Sequence, residues 1–366
     1  MKKIKVAVVG VGNDASSLLQ GIFYYRNVIR STKPVIGLMH NLVDIYKVSD
    51  IIPVAAFDID KRKVGKDLSR AIFEKPNCTK IIYSKMPNLG VKVKMGPVLD
   101  GLAEHIKNYP EEERPVVAKE KPINVIKELK NTGAEILINY VPTGAQKVTE
   151  FYAKAALETK CAFLNCTPNL IASKKLWLEK FKEEKIPIIG DDIKSQIGAT
   201  ILHRALIDLL RERGCEIKKT YQLNMGGNAD FLNMLSLSRR KLKETSKMKS
   251  LRSQLLPCMP ENNIYTSPSN YVPWLKDNKI CYIRIDARNF SGIPLELEVK
   301  LSVEDSPNSA GCVIDAIRIL KLALERGIGG PIISASAYLT KSPPIQYDDK
   351  KAKEIMEEFI KGRRGN

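Results

Sequence analysis

Short apolar runs alternate with amphipathic stretches through the first half of the chain, the order expected of parallel strands joined by crossover helices. The expected strands are Lys5 to Val9, Pro53 to Phe57, Glu135 to Asn139, Ala162 to Asn165 and Pro187 to Ile189. Between the third and fourth, Thr143 to Leu157 sets Val148, Phe151, Tyr152, Ala155 and Ala156 at three-to-four spacing, which predicts a helix with one apolar face. A doubly wound, Rossmann-type α/β sheet is the expected fold of this half.

After about Ser195 the period changes to two. Leu295, Leu297, Val299 and Leu301 alternate with Glu296, Glu298 and Lys300, and Cys281, Ile283 and Ile285 alternate with Tyr282, Arg284 and Asp286. That is the pattern of strands with one wet face, and Ile217 to Asn224 is a third candidate. Ala199 to Arg211 is helix-like. Ser236 to Asn270 is polar, holds Pro257, Pro260 and Pro268 and has no period, so it is expected to be a long loop that orders on ligand binding. Cys312 to Arg326 is apolar around most of its circumference and stops before Gly327, which predicts a buried helix with a glycine cap. The expected division is a first domain over 1–195, an α+β domain over 196–310, and a segment over 311–366 that returns to the first domain.

A length of 366 residues suits two domains, and 44% apolar with 27% charged residues is ordinary globular composition. No run approaches the roughly 20 apolar residues that span a bilayer. Met1 to Val9 is too short for a signal peptide, lacks a cleavage site, and reads as a first strand. Cys78, Cys161, Cys166, Cys215, Cys258, Cys281 and Cys312 are scattered singly, which points to a reducing cytoplasm. With three unpaired histidines, His40, His105 and His203, a structural zinc is not expected. Lys plus Arg outnumber Asp plus Glu by 59 to 41, a net charge of +18. The surplus invites an anion, whether nucleic acid or a phosphorylated small molecule, although a solvated basic surface accounts for most of these lysines.

Gly10-Val11-Gly12-Asn13-Asp14-Ala15 after the first strand fits G-x-G-x-x-A entering a helix, where glycines let the backbone approach a pyrophosphate; a tight structural turn would look the same. Asp58, ending the second strand, stands where an acid would hold the ribose of NAD and repel the 2′-phosphate of NADP. It lies further along than the usual roughly 20 residues, which an insertion from Ser31 to Asp50 accounts for. Asn165-Cys166-Thr167-Pro168-Asn169 resembles the nucleophile segment of phosphorylating aldehyde dehydrogenases, but a packed thiol is the better reading of Cys166, since His203 is a poor base for it. Gly190-Asp191-Asp192-Ile193-Lys194-Ser195 could order a nicotinamide, a sugar hydroxyl or a cation, or simply cap a helix. Asn224-Met225-Gly226-Gly227-Asn228-Ala229-Asp230-Phe231 offers amides and an acid to a polyol. From Ser236 to Arg252 follow seven basic residues and one acid, whose position suggests closure on a phosphate.

On these residues the chain resembles the myo-inositol-1-phosphate synthase family in its short prokaryotic form. The match runs through the Gly10 loop, Asp58, Asn165 to Asn169, Gly190 to Ser195, Asn224 to Asn233, Lys243 to Lys247, Lys279, Glu304-Asp305-Ser306 and Lys341; G-D-D-x-K-S, G-G-N-x-D-F and K-E-x-S-K in that order are its most specific marks. Gly12-Asn13-Asp14 departs from the long eukaryotic form in having fewer glycines and asparagines.

The resemblance implies a cytoplasmic homotetramer of inositol and phospholipid biosynthesis that turns D-glucose 6-phosphate into 1L-myo-inositol 1-phosphate. Oxidation at C5, enolisation at C6, aldol attack on C1 and reduction at C5 would follow one another, with NAD regenerated in each turnover. It implies catalytic roles for Lys243 and Lys247 at phosphate and oxyanions, Lys279 in proton transfer at C5 and Lys341 at the C1 oxygen or phosphate, with Asp305 and Asp230 orienting lysines or nicotinamide. Gly10, Gly12, Asn13, Asp14, Asp58, Thr143, Thr167, Asp191, Asp192, Lys194 and Ser195 would serve the cofactor, and Asn224, Gly227, Asn228 and Asn233 the substrate; a divalent or monovalent cation is left open. Two other classes fit the residues less fully: an aldehyde or homoserine dehydrogenase type of NAD oxidoreductase, and a basic nucleic-acid or regulatory binding protein, which would show steep salt dependence.

Overall fold

The structure is a computed structural model that describes residues 3–27, 34–255 and 259–365. Five of its strands fall where the apolar runs place them: β1 (Ile4–Val9), β2 (Ile51–Asp58), β4 (Ile136–Asn139), β5 (Ala162–Asn165) and β6 (Pro187–Ile189), with a short β3 (Val93–Met95) that the pattern does not announce. Their pairings are all parallel. β4 and β5 are buried at every position, so they read as unbroken apolar runs rather than alternations.

The faces of β1 divide the domain into two layers. Val6 and Val8 pack on the side of α1 (Asn13–Tyr24), while Ala7 and Val9 pack on the side of α3 (Val125–Thr132), α4 (Gln146–Thr159) and α5 (Lys175–Glu183). A four-residue α2 (Leu68–Ala71) follows β2. Residues 34–50, the described part of the expected insertion, are turns and a short 3-10 helix fastened below by Arg318, which donates to the main-chain oxygens of His40, Asn41 and Tyr46. Ser31 lies outside the described residues.

After β6, α6 (Ala199–Glu212) leads to β7 (Glu216–Gly226), α7 (Ala229–Asn233) and α8 (Leu237–Arg252), then β8 (Ile264–Tyr271), β9 (Asn278–Arg288) and β10 (Pro294–Glu304). The second sheet has the order β10-β9-β7-β8. Its buried face is the alternation seen in sequence: Ile283 sits opposite Val299, and Ile285 opposite Leu297.

Ser236 to Asn270 is not a long loop. Most of it is the 16-residue α8 and the strand β8; Pro257 and Cys258 lie outside the described residues. β8 is the edge strand of its sheet, where Pro268 is tolerated beside a register shift in β7. The inward residues of α8 are Arg239, Ser246, Lys247 and Ser250 with only Leu251 apolar, so its buried face carries no hydrophobic period.

α9 (Asp305–Glu325) returns to the first layer and packs its apolar circumference against α1 and the first sheet. β11 (Gly330–Pro331) then pairs with β6, completing a seven-stranded sheet in the order β11-β6-β5-β4-β1-β2-β3. α10 (Ile333–Leu339) and α11 (Asp349–Ile360) close the chain. Among the described residues no helix is long and apolar enough to cross a membrane.

Candidate active site

The carboxyl ends of β4, β5 and β6 open toward the second sheet, and a cavity of about 220 Å³ lies between them. Gly12 forms one corner. It is the N-cap of α1 with no side chain capping the free amides, and a Cβ there would meet nothing within 4 Å. Gly10, at φ +83°, passes so close to Tyr140 that a Cβ would lie 2.9 Å from its carbonyl oxygen. The turn thus presents bare amides to an open space, which fits a dinucleotide pyrophosphate.

Asn13 accepts from the amides of Cys78 and Thr79, holding the segment after α2 across the turn. Asp58 ends β2, but it turns inward: Oδ2 accepts from Val11 N at 2.6 Å and Oδ1 from the amides of Ile59 and Asp60. It shapes the turn and does not line the cavity.

The opposite wall is built of lysines. On β9 the positions that alternate inward run Ile285, Ile283, Cys281 and then Lys279, so the face that makes the core ends by delivering an amine into the cavity. Lys243 and Lys247 are one turn apart on α8, and Lys341 follows α10.

Three of the four have carboxylate partners. Lys279 is bonded to Asp305. Lys243 and Lys341 share Oδ1 of Asp192, at 3.2 and 2.9 Å, while Oδ2 takes Ser246 Oγ at 2.6 Å. Lys243 also stands 3.9 Å from Asp230, which accepts from Thr143 Oγ1 at 3.0 Å. Burial opposes ionisation of Asp192, yet the two ammonium groups outweigh it and hold the carboxyl well below its usual range. Burial likewise opposes the charge on Lys243, and Asp192 with Asp230 overcomes it and raises the amine.

Lys247 differs. It is 7% exposed, no carboxylate pairs with it among the described residues, and burial together with Lys279, Lys341 and Lys243 lowers its amine to about 7. Asp14, in the first turn of α1, is pushed up to about 6 by burial and by Asp305, and accepts from Ser309 Oγ at 3.0 Å.

Thr167, Ser195, Asn224, Asn228, Asp230 and Asn233 also reach the cavity. Several residues expected at ligand are instead structural. Asp191 is fully buried, its carboxylate accepting from Asn165 Nδ2, from the amides of Ile171, Ala172 and Ser173, and from Ser173 Oγ, so it pins the loop after β5. Lys194 borders the cavity, but its amine turns to Ala337 O and Asp349. Gly227 lies against main chain, where a Cβ would come within 2.4 Å of Val272 O. Asn233 accepts from Arg239, and both donate to Thr143 O. Arg239 was not singled out from sequence, yet it binds the start of α8 to the first domain.

Cys166 sits in the wall at 6% exposure, and burial holds its thiol well above the usual range. His203 is no base for it, being buried against Thr220 Oγ1 at 2.6 Å and lowered by burial to about 4. Among the described residues no three His, Cys, Asp or Glu side chains are grouped to hold a metal ion.

The profile of the family described as myo-inositol-1-phosphate synthase matches residues 198–306. A protein of Mycolicibacterium smegmatis named inositol-3-phosphate synthase is 47% identical over 364 residues, spanning 98% of each chain. One of the same name from Corynebacterium glutamicum is 48% identical over 363 residues, again 98% of each. The crystal structure of a myo-inositol-1-phosphate synthase-related protein from Thermotoga maritima superposes with a TM-score of 0.81 over 98% of both chains at 24% identity, a likeness of fold.

Proposed function

The chain belongs to the inositol-3-phosphate synthase family and is an enzyme, and from that premise we propose that it converts D-glucose 6-phosphate to 1L-myo-inositol 1-phosphate with NAD used catalytically. The observation that carries the reading is the convergence of four lysine amines on one cavity beside the bare amino end of α1, three balanced by carboxylates and Lys247 by none among the described residues. A phosphorylated sugar supplies the missing negative charge.

Gly10, Gly12, Asn13 and the first turn of α1 would hold the pyrophosphate of NAD, with Asp58 behind the turn and Thr143, Thr167, Asp192 and Ser195 toward its nicotinamide end. Bound there, NAD supplies a hydride acceptor that becomes a donor within the same turnover. The sugar's C5 and C1 oxygens bear negative charge in turn, and ammonium groups preorganised in a dry site stabilise such charge more than water does. Lys279, steered by Asp305, holds and returns the proton at the C5 oxygen. Lys341, anchored by Asp192 and Ile193 O, faces the C1 oxygen or the phosphate. Lys243 remains charged throughout. Lys247 takes a proton as the phosphate enters, which turns mutual repulsion among the amines into attraction for the substrate.

Incubation of purified protein with glucose 6-phosphate and NAD tests the reading. Inositol monophosphate should accumulate without net NADH. NADH formed in step with sugar consumed would replace the synthase with a dehydrogenase. The same reading carries self-association as a homotetramer, which a monodisperse monomer in light scattering would overturn.

A further inference from the structure

Asp277 has a role that the lysine chemistry leaves unassigned. It immediately precedes β9 and is 1% exposed. Its Oδ1 accepts from Asn228 Nδ2 at 3.0 Å and from Ser306 Oγ at 2.9 Å, and its Oδ2 from Ser306 N at 3.2 Å. Its main-chain oxygen accepts from Asp305 N at 2.9 Å. One residue thereby joins the Asn228 cap, the first turn of α9 that bears Asp305, and the strand that bears Lys279 two positions on. Among the described residues no lysine or arginine is paired with it, and the Lys279 amine is paired with Asp305.

A second set of contacts leads to the cofactor side. The Thr79 side chain lies beside the Asp277 carboxyl and favours its ionised form. Thr79 also stands 3.0 Å from Ser17 Oγ on α1 and donates its amide to Asn13.

We propose that Asp277 is a positioning residue for the reaction, bridging Asn228 and Ser306 so that the Lys279–Asp305 pair is held in fixed relation to the substrate turn, with Thr79 beside it leading on to the cofactor turn. The proposal rests on the reading of Lys279 as the proton carrier at C5. A buried carboxylate with hydrogen-bond donors but no counter-ion is an expensive arrangement, and here it stands beside a second carboxylate. Burial, then Asp305 and Asp14, push Asp277 up to about 7. The Cys78 thiol, which feels the Asp277 charge, is raised to about 11 and is neutral. The neutral acid leaves Lys279 committed to Asp305. Once ionised, Asp277 adds a second negative charge beside Asp305 and so holds the proton on the Lys279 paired with it more tightly, and turnover should decline above about pH 7.

The test compares wild type, Asp277→Asn and Asp277→Ala in kcat and KM for glucose 6-phosphate from pH 5.5 to 9, with NAD binding and thermal melting measured alongside. The profile is read on kcat, which reports the loaded enzyme, because titration of free Lys247 appears in kcat/KM. Asp277→Ala should lower kcat by about 10²-fold with KM and NAD affinity changed only a few-fold, since a displaced reacting group can cost about that much. Asp277→Asn, which mimics the neutral acid, should stay within about tenfold of wild type and lose the decline above pH 7. If Asp277→Ala does not fold, the profile of Asp277→Asn decides alone. Unchanged kcat in both variants, or an unaltered decline in Asp277→Asn, overturns this proposal while leaving the synthase reading intact. A wild type that makes no inositol phosphate overturns both.

Discussion

The amino end of α1 and the inward face of α8 meet the same cavity, and both are suited to anions, yet they are made differently. At α1 the donors are main-chain amides exposed by Gly10 and Gly12, and their capacity to bind does not depend on protonation. On α8 the donors are the amines of Lys243 and Lys247, whose charge is set by Asp192, Asp230 and one another. The first arrangement suits the pyrophosphate of a cofactor that stays bound, whose charge is constant whichever redox state the nicotinamide is in. The second suits a substrate whose charge shifts between oxygens, because amines can move protons and amides cannot.

The sharpest way to break this comparison is to remove a charge from α8 and watch α1. Lys243→Ala should depress inositol phosphate formation by about 10²- to 10³-fold, the usual worth of a charge-stabilising donor in an active site. NAD binding, measured by calorimetry, should be nearly unchanged. The fold should survive because Asp192 keeps Lys341 and Ser246. Full turnover in Lys243→Ala would remove α8 from the chemistry.

Lys247→Met asks whether the unpaired amine is held at the expense of stability. Its folded value near 7 lies below the ordinary lysine value, so between about pH 7 and 10.4 the unfolded chain binds more protons and Lys247 destabilises the fold less as pH rises. Below pH 7 the penalty is fully present. Methionine fills similar space without charge, so the variant should melt higher than wild type at pH 6.5, by roughly 2 °C or more, and the gain should vanish toward pH 10. In the same variant kcat/KM should fall by about 10²-fold. A lower melting point at pH 6.5 would mean that Lys247 is balanced after all.

How far these two regions could be read from sequence differs for the same physical reason. β1, Gly10 and α1 were legible because parallel strands are buried on both faces and the glycine spacing requires a close turn into a helix, whether or not that turn binds a phosphate. α8 was not, since Arg239, Ser246, Lys247 and Ser250 fill its inward face and periodicity searches for apolar residues there. β8 was hidden by Pro268, which an edge strand accepts. In Gly190 to Ser195 the motif was recognised as a unit, but only some side chains face ligand: Asp192 and Ser195 reach the cavity while Asp191 and the Lys194 amine turn into the protein. Asp277 left no signal but its place before Asn278 and Lys279. Its meaning depends on Asn228 and Ser306, which are distant in sequence and meet only in the fold.

On the cofactor side, Asp58→Ala should weaken NAD binding by about tenfold, through loss of the bond to Val11 N by which it shapes the turn. NADP should be affected less, because the repulsion of its 2′-phosphate is removed at the same time. Direct titration with both dinucleotides measures the difference. Equal affinities in wild type would end the case for Asp58 as the discriminating acid, and its bond to Val11 would then be its whole role.

The smallest expected effect is at Cys166, which shares the cavity wall with Thr167 but belongs to neither anion-binding region. A nucleophilic thiol needs a lowered value and a base. Cys166 has the reverse: burial, reinforced by Asp14, holds it protonated, and the histidine once eligible as its base is buried 2.6 Å from Thr220 and neutral. Its contribution is therefore volume within the apolar cluster that also holds Ile189 and Ile193. Cys166→Ala removes one sulfur, so the protein should lose roughly 1 kcal/mol of stability and keep most of its turnover once assayed below its melting point. Thiol-specific reagents should leave the native enzyme active for the same reason. A thioester mechanism requires near-total loss in that variant, and such a loss with the fold intact would move the chemistry from the lysines of α8 to the wall beneath α1.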